Sequence, residues 1–207
     1  MKDATEVVVV LDKSGSMHRV VDDTIGGFNQ FLQDQKDAEE EKNLTLIQFN
    51  HCYDVLYEGK PIGDCEPLTR STYSPSGTTA LLDAVACGII NTGRRLEEMS
   101  EESRPDKVIF VVITDGYENA SKEHTRDQVR EMVKHQTEKY SWVFLYLAAN
   151  VDAFSESSKL GIEASRAVQY SATGQGVVSA HAGVSRAVKQ YIRTRSLADE
   201  KWKKGIE

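Results

Sequence analysis

Positions 7–11 read Val-Val-Val-Val-Leu, apolar at every residue, and the run stops at Asp12. A strand with one buried face alternates apolar and polar side chains. A run without alternation is covered on both faces, the condition of a parallel strand between two layers of helices. Val108-Ile109-Phe110-Val111-Val112-Ile113 and Trp142-Val143-Phe144-Leu145-Tyr146-Leu147 have the same character. Each run ends in short polar residues: Asp12-Lys13-Ser14-Gly15-Ser16 after the first, Thr114-Asp115-Gly116 after the second, and Asn150 and Asp152 beyond the third. Asp12, Ser14 and Ser16 can turn their oxygens toward one point, and hard oxygen donors on a tight turn suit a divalent cation such as Mg2+. The alternative reading of the same residues is a helix cap at a strand-to-helix turn.

Between the apolar runs the periodicity changes to that of helices. Ile25, Phe28, Phe31 and Leu32 recur with helical spacing to about Lys36, and Gly26-Gly27 within them suggest close helix–sheet approach. Leu82, Val85, Ile89 and Leu96 mark a second helix, Val129, Met132, Val133, Gln136 and Tyr140 a third, and Val177, Val184, Val188 and Ile192 a closing one. Leu44–Phe49 and Tyr53–Tyr57 are short strands joined by Asn50-His51-Cys52 alone. A parallel crossover needs a dozen or more residues, so these two pair antiparallel. Ala167–Tyr170 is a weaker last strand. The pattern predicts an α/β fold, three-layered and doubly wound, with a mostly parallel sheet of about six strands, one antiparallel edge strand, and a single domain over residues 1–207.

Charge and cysteine usage narrow the function classes. A net charge of −7 argues against nonspecific nucleic-acid binding, and Lys201, Lys203 and Lys204 read as a solvated tail. Cys52, Cys65 and Cys87 lack metal-ligand spacing and read as reduced thiols. No apolar run approaches the roughly 20 residues that span a bilayer. The N-terminus runs directly into the first strand without room for a secretory signal, so the expectation is a cytoplasmic protein without a membrane partner.

Three separated loops carry the candidate chemistry: Asp12/Ser14/Ser16, then Ser76-Gly77-Thr78-Thr79-Ala80-Leu81, then Ile113-Thr114-Asp115-Gly116-Tyr117-Glu118-Asn119. In a doubly wound sheet, ligands bind at the C-terminal ends of the strands where the winding reverses. In this order the loops resemble the Asp-x-Ser-x-Ser, Gly-x-Thr-like and Thr-Asp-Gly segments of von Willebrand factor A (vWA) domains. There they form a metal-ion-dependent adhesion site (MIDAS).

The resemblance implies a Rossmann-like vWA fold and a metal site of Asp12, Ser14, Ser16, Thr79 and Asp115, with Thr78 the alternative to Thr79. It implies Mg2+ as the ion, with Mn2+ able to substitute and Ca2+ less favoured. A protein partner's carboxylate would fill an open coordination position. Family members without a secretion signal often act as adaptors, in some cases for AAA-type ATPases or bacterial stress and defence systems, so the chain reads as an intracellular adaptor. The candidate rim comprises Lys13, Met17, His18, Arg19, Tyr117, Glu118, Asn119, Asn150 and Asp152. Of these, Glu118 and Asp152 read better as ordinary exposed loop residues, and Asn119 and Asn150 have turn capping as their alternative. A positive Lys13 beside the ion would favour an incoming carboxylate.

Catalytic readings fit less well. Ser14 lacks the Gly-x-Ser-x-Gly context of a nucleophile elbow, and the histidines at 18, 51, 124, 135 and 181 are scattered. An aspartyl-phosphate scheme on Asp12 lacks its downstream lysine, and no phosphate-binding Gly-x-x-x-x-Gly-Lys occurs. The expectation is a non-enzyme; the alternative is a metal-dependent hydrolase or phosphatase in the same pocket.

Overall fold

The structure, a computed structural model, describes residues 4–206; Met1, Lys2 and Asp3, which open the segment read as lacking a leader, and Glu207 lie outside it. Six strands form one sheet: β1 (Thr5–Asp12), β2 (Lys42–Phe49), β3 (Tyr53–Pro61), β4 (Lys107–Thr114), β5 (Val143–Ala148) and β6 (Ala167–Gln169). Their order is β3-β2-β1-β4-β5-β6. Every pairing is parallel except β2 with β3, the hairpin at the edge. The chain winds outward from β1 to β2 on one side and from β4 to β6 on the other. The reversal therefore falls between β1 and β4, which pair from Thr5↔Lys107 to Leu11↔Ile113.

The unbroken apolar runs are explained by two helical layers. Along β1, Val7, Val9 and Leu11 face one core with Phe28, Phe31 and Leu32 of α1 (Val21–Lys36) and Val184 and Val188 of α5 (Gly174–Thr194). Val8 and Val10 face the other core, with Val85 and Ile89 of α2 (Leu81–Glu98) and Val129 and Val133 of α3 (Arg126–Tyr140). β4 divides the same way, Ile109, Val111 and Ile113 against Val108, Phe110 and Val112. Because side chains alternate across the sheet, a strand sandwiched this way must be apolar throughout.

Helix boundaries follow local chemistry. At the start of α3, the Thr125 hydroxyl accepts from the Gln128 amide while the Gln128 side chain accepts from the Thr125 amide, a capping box. α4 (Ala153–Lys159), which the polar Ser-rich sequence did not announce, begins where Asp152 accepts from the amides of Phe154 and Ser155.

Two expectations need correction. Gly26 and Gly27 do not serve helix–sheet approach. A Cβ on Gly27 would lie 3.0 Å from His181 of α5, so that glycine permits contact between two helices, and one on Gly26 would meet nothing within 4 Å. The C-terminal basic cluster is not simply a solvated tail either: Trp202 and Ile206 are buried in the α5 core and Lys203 lies over the Trp202 ring, while Lys201 and Lys204 stay exposed, because an indole gains far more from burial than an ammonium can. Among the described residues, no helix is long and apolar enough to cross a membrane.

Candidate metal centre

β1 and β4 end side by side, which sets Asp12 beside Thr114 and Asp115. The Asp12 carboxylate is fully buried; it accepts from the Ser14 amide (2.6 Å) and the Thr114 hydroxyl (2.6 Å). From Gly15 the chain enters a turn of 3-10 helix, Gly15–Val20, that folds Ser16 back over the strand end. The Ser14 and Ser16 hydroxyls lie 3.0 Å apart, and Ser16 Oγ donates to Asp115 Oδ1 at 2.5 Å. Two carboxylates and two hydroxyls from β1 and β4 thus form one connected group.

The loop before α2 closes over it through main-chain bonds. Gly15 N donates to Gly77 O (3.0 Å), Ser76 N to Lys13 O (2.8 Å) and Ala80 N to Asn50 O (2.6 Å). Gly77 makes the turn at φ +71°, and a Cβ there would sit 2.5 Å from His51 Nδ1. Gly77→Ala is therefore expected to cost about 1–3 kcal/mol in chemical denaturation, from left-handed strain and displacement of His51. Stability within a few tenths of wild type would show that the loop has another conformation to use. Beyond the turn Thr78 is exposed and Thr79 is buried. The Thr79 hydroxyl lies toward Gly116, where a Cβ would come within 3.7 Å of it. Asn119 ties the second and third loops together, its Oδ1 accepting from Thr79 N (2.9 Å) while its own amide donates to Thr79 O (3.0 Å).

The electrostatics are those of carboxylates without an ion-paired side chain among the described residues. Burial raises the Asp12 pKa from its ordinary value to about 6, against the hydrogen bonds from Thr114 and Ser14. Burial also raises that of Asp115, against the Ser16 hydroxyl and the field of Arg19. Among the described residues neither carboxylate forms an ion pair with a lysine or arginine. Among the same residues, three or more His, Cys, Asp or Glu side chains do not gather as a metal cluster. Two carboxylates with neutral hydroxyls around them form a hard oxygen set, which fits a small divalent cation better than a soft one.

The rim differs from expectation in three places. Met17 is fully buried in the α1/α5 core, because the 3-10 turn points it inward between two exposed neighbours, so it cannot meet a partner. Lys13 is not an open cation: its ammonium is held by Asp54 of β3. Glu118 is not an ordinary exposed residue. Its carboxylate accepts from Leu82 N at the start of α2, from Ala120 N and Ser121 N, and from the Ser121 hydroxyl. His18, Tyr117, Asn119 and Asn150 are exposed around the group, Asn150 in the left-handed region at φ +56°.

Sequence reasoning missed the supports. Tyr73 donates to Asp12 O (2.6 Å) and Tyr170 to Thr114 O (3.0 Å), pinning both strand ends from below. Asp83 of α2 accepts from the amides of Lys122 (2.7 Å), Glu123 (3.1 Å) and His124 (2.8 Å). An aspartate within an otherwise apolar helix face was the available signal. A cavity of about 1220 Å3 opens between α2 and α3 at the N-terminal ends of β4 and β5, and no candidate site residue lines it.

No family model and no curated protein matches the sequence. Solved structures do share the fold. Proximal thread matrix protein 1 of the mussel byssus, with a zinc-occupied MIDAS motif, aligns with a TM-score of 0.60 at 15% identity over 89% of this chain and 45% of that one. The manganese-loaded TRAP protein of Plasmodium vivax aligns at 0.58 and 14% identity, over 86% of this chain and 71% of that one. The ArnB paralog VWA2 of Sulfolobus acidocaldarius aligns at 0.51 and 16% identity, over 86% and 44%. The chain thus spans less than half the length of the mussel protein, and at these identities the likeness is one of fold. With its strand order, single antiparallel edge and two helical layers, the chain has the fold of a von Willebrand factor A domain.

Proposed function

We propose that the chain is a divalent-cation-dependent protein-interaction module. Asp12, Ser14, Ser16, Thr79 and Asp115 would hold the ion, with Mg2+ the preferred occupant, Mn2+ a substitute and Ca2+ less favoured. The observation that carries this reading is the meeting of two buried carboxylates with serine hydroxyls at the switch point of the sheet, with no cationic side chain among the described residues ion-paired to either carboxylate. The zinc and manganese bound by the mussel and Plasmodium proteins of the same fold support it. A cation held there would offer an electrophilic position to an anionic oxygen. Exposed His18, Tyr117, Asn119 and Asn150 would surround an acidic side chain that reached it. We place the module inside the cell as an adaptor for an AAA-type ATPase or a stress-defence protein, on the family resemblance.

The reading is non-enzymatic. Among the described residues no histidine is hydrogen-bonded to Ser14 or Ser16, whose hydroxyls engage each other and Asp115. A hydrolase built on Ser14 would need a general base within such reach.

Calorimetric titration of Mg2+ and Mn2+ into wild type, Asp12→Ala and Thr79→Ala tests the centre. Saturable binding is expected in the wild type, with loss in Asp12→Ala and at least tenfold weakening in Thr79→Ala. A partner recovered by pull-down should then be released by chelator. Equal metal binding by all three proteins would move the site elsewhere, and Mg2+-dependent turnover of a generic phosphate ester lost in Ser14→Ala would favour the hydrolase.

A further inference from the structure

The cationic side chains around the candidate centre are not equivalent. Lys13 is neutralised by Asp54. Arg19 is exposed and has neither a hydrogen bond nor an ion pair among the described residues; the charged group it acts on is Asp115. It lies on the wall of a cavity of about 210 Å3 directly beside the centre, together with Ser16, Asp115, Asn150, Tyr170 and Val177. At ~30 Å3 per water that space holds roughly seven, enough for a carboxylate and the stem that carries it.

Formal charge gives Arg19 its importance, on the reading that the centre holds a divalent cation. Asp12 and Asp115 together cancel a doubly charged ion, and Lys13 with Asp54 cancels itself. A loaded centre of that kind is formally neutral, so its preference for a carboxylate over a carbonyl or hydroxyl oxygen comes from the ion at contact alone, and a further positive charge beside it strengthens that preference. Arg19, without an ion pair among the described residues, adds a positive charge beside it. We infer that Arg19 is the specificity-determining residue of the centre: it lowers the affinity for the bare ion and pairs with the free oxygen of an incoming carboxylate, so that tight occupancy waits for an acidic partner. The planar guanidinium suits this, since one N–H can meet an oxygen whose carboxylate partner is engaged elsewhere. Asn150, whose side chain has no hydrogen bond among the described residues, stands on the same wall as a second donor.

The inference predicts two effects of opposite sign from one substitution. Arg19→Ala should bind Mn2+ alone more tightly than wild type by calorimetry, because a positive charge beside Asp115 is gone. In saturating Mn2+ the same variant should bind a labelled peptide with one glutamate in a Gly/Ser background about tenfold more weakly, as loss of a charge-assisted hydrogen bond requires. A peptide with glutamine in place of the glutamate should be insensitive to the substitution, and Arg19→Lys should recover part of the difference. Arg19 is exposed, and matching thermal melts without metal would establish that the variants are folded. Weakening of metal and peptide together would give Arg19 a merely structural role and overturn the inference. An unchanged glutamate-to-glutamine ratio in Arg19→Ala would overturn it too, while leaving the metal centre standing. A wild type that bound neither metal nor peptide would remove the centre and this inference with it.

Discussion

Asp12→Asn will abolish divalent-cation binding and, without metal, make the protein more stable than wild type at neutral pH. Asp12 is a buried carboxylate whose pKa is raised from 3.8 to about 6 by desolvation. Its folded pKa lies above its unfolded one, so the folded state holds the proton more tightly. Metal-free wild type therefore loses stability as pH rises from about 4 to about 6, and the penalty is complete above that. A shift of that size corresponds to about 3 kcal/mol. Asparagine keeps the acceptor for Ser14 N, and the Thr114 hydroxyl, now facing an amide NH2, can turn toward Gly116 O at 3.3 Å. Part of the penalty is regained, about 1–3 kcal/mol at pH 7.5, shrinking to nothing near pH 4.

Saturating Mg2+ should reverse the order. Wild type gains ~4.1 kcal/mol at a thousandfold excess over Kd, more than the variant's metal-free advantage, and the variant gains none. Thermal melts of both proteins with metal and with chelator, at pH 7.5 and pH 4.5, read all of this. A variant less stable than wild type in chelator at pH 7.5 would mean that Asp12 is held by its hydrogen bonds more strongly than burial disfavours it.

The second large effect is expected from a residue that touches none of the candidate ligands. Asp83→Ala removes the acceptor for the amides of Lys122, Glu123 and His124. Those three bonds fix the distal end of the loop that begins at Asp115. Their loss should cost about 2–3 kcal/mol by urea unfolding, because the orphaned donors regain only part of their hydrogen bonding from water. Metal affinity should fall about tenfold, since the same loop carries Asn119 and through it positions Thr79. Hydrogen exchange gives the residue-level readout, with the amides of residues 122–124 losing protection while those of β4 keep theirs. Unchanged exchange there would refute the role given to Asp83.

How much of this was legible in the sequence depended on the reach of each interaction. The central strands could be read because being apolar on both faces is a property of consecutive residues, and the three-residue link at 50–52 dictated its own hairpin. Asp12, Ser14, Ser16 and Asp115 stood out because each lies at or within a few residues of the end of a recognisable strand. Met17 and Lys13 misled, because sequence proximity to the site does not say which way a 3-10 turn faces, nor that Asp54 from the next hairpin will capture an ammonium. The roles of Tyr73, Asp83 and Glu118 went unread for a related reason. Their partners lie between two and sixty-one positions away, and only the packing of α2 and the strand ends creates them.

The three loops are joined to one another mostly through peptide groups, Gly15 to Gly77, Ser76 to Lys13 and Asn119 to Thr79, and Ala80 is joined in the same way to Asn50 of the hairpin. A peptide group is common to every residue, so most substitutions along these loops leave such joints intact. Sequence drift can then rewrite the recognition face while the oxygen cage keeps its shape. A lineage could change what this domain grips many times over without rebuilding the hand.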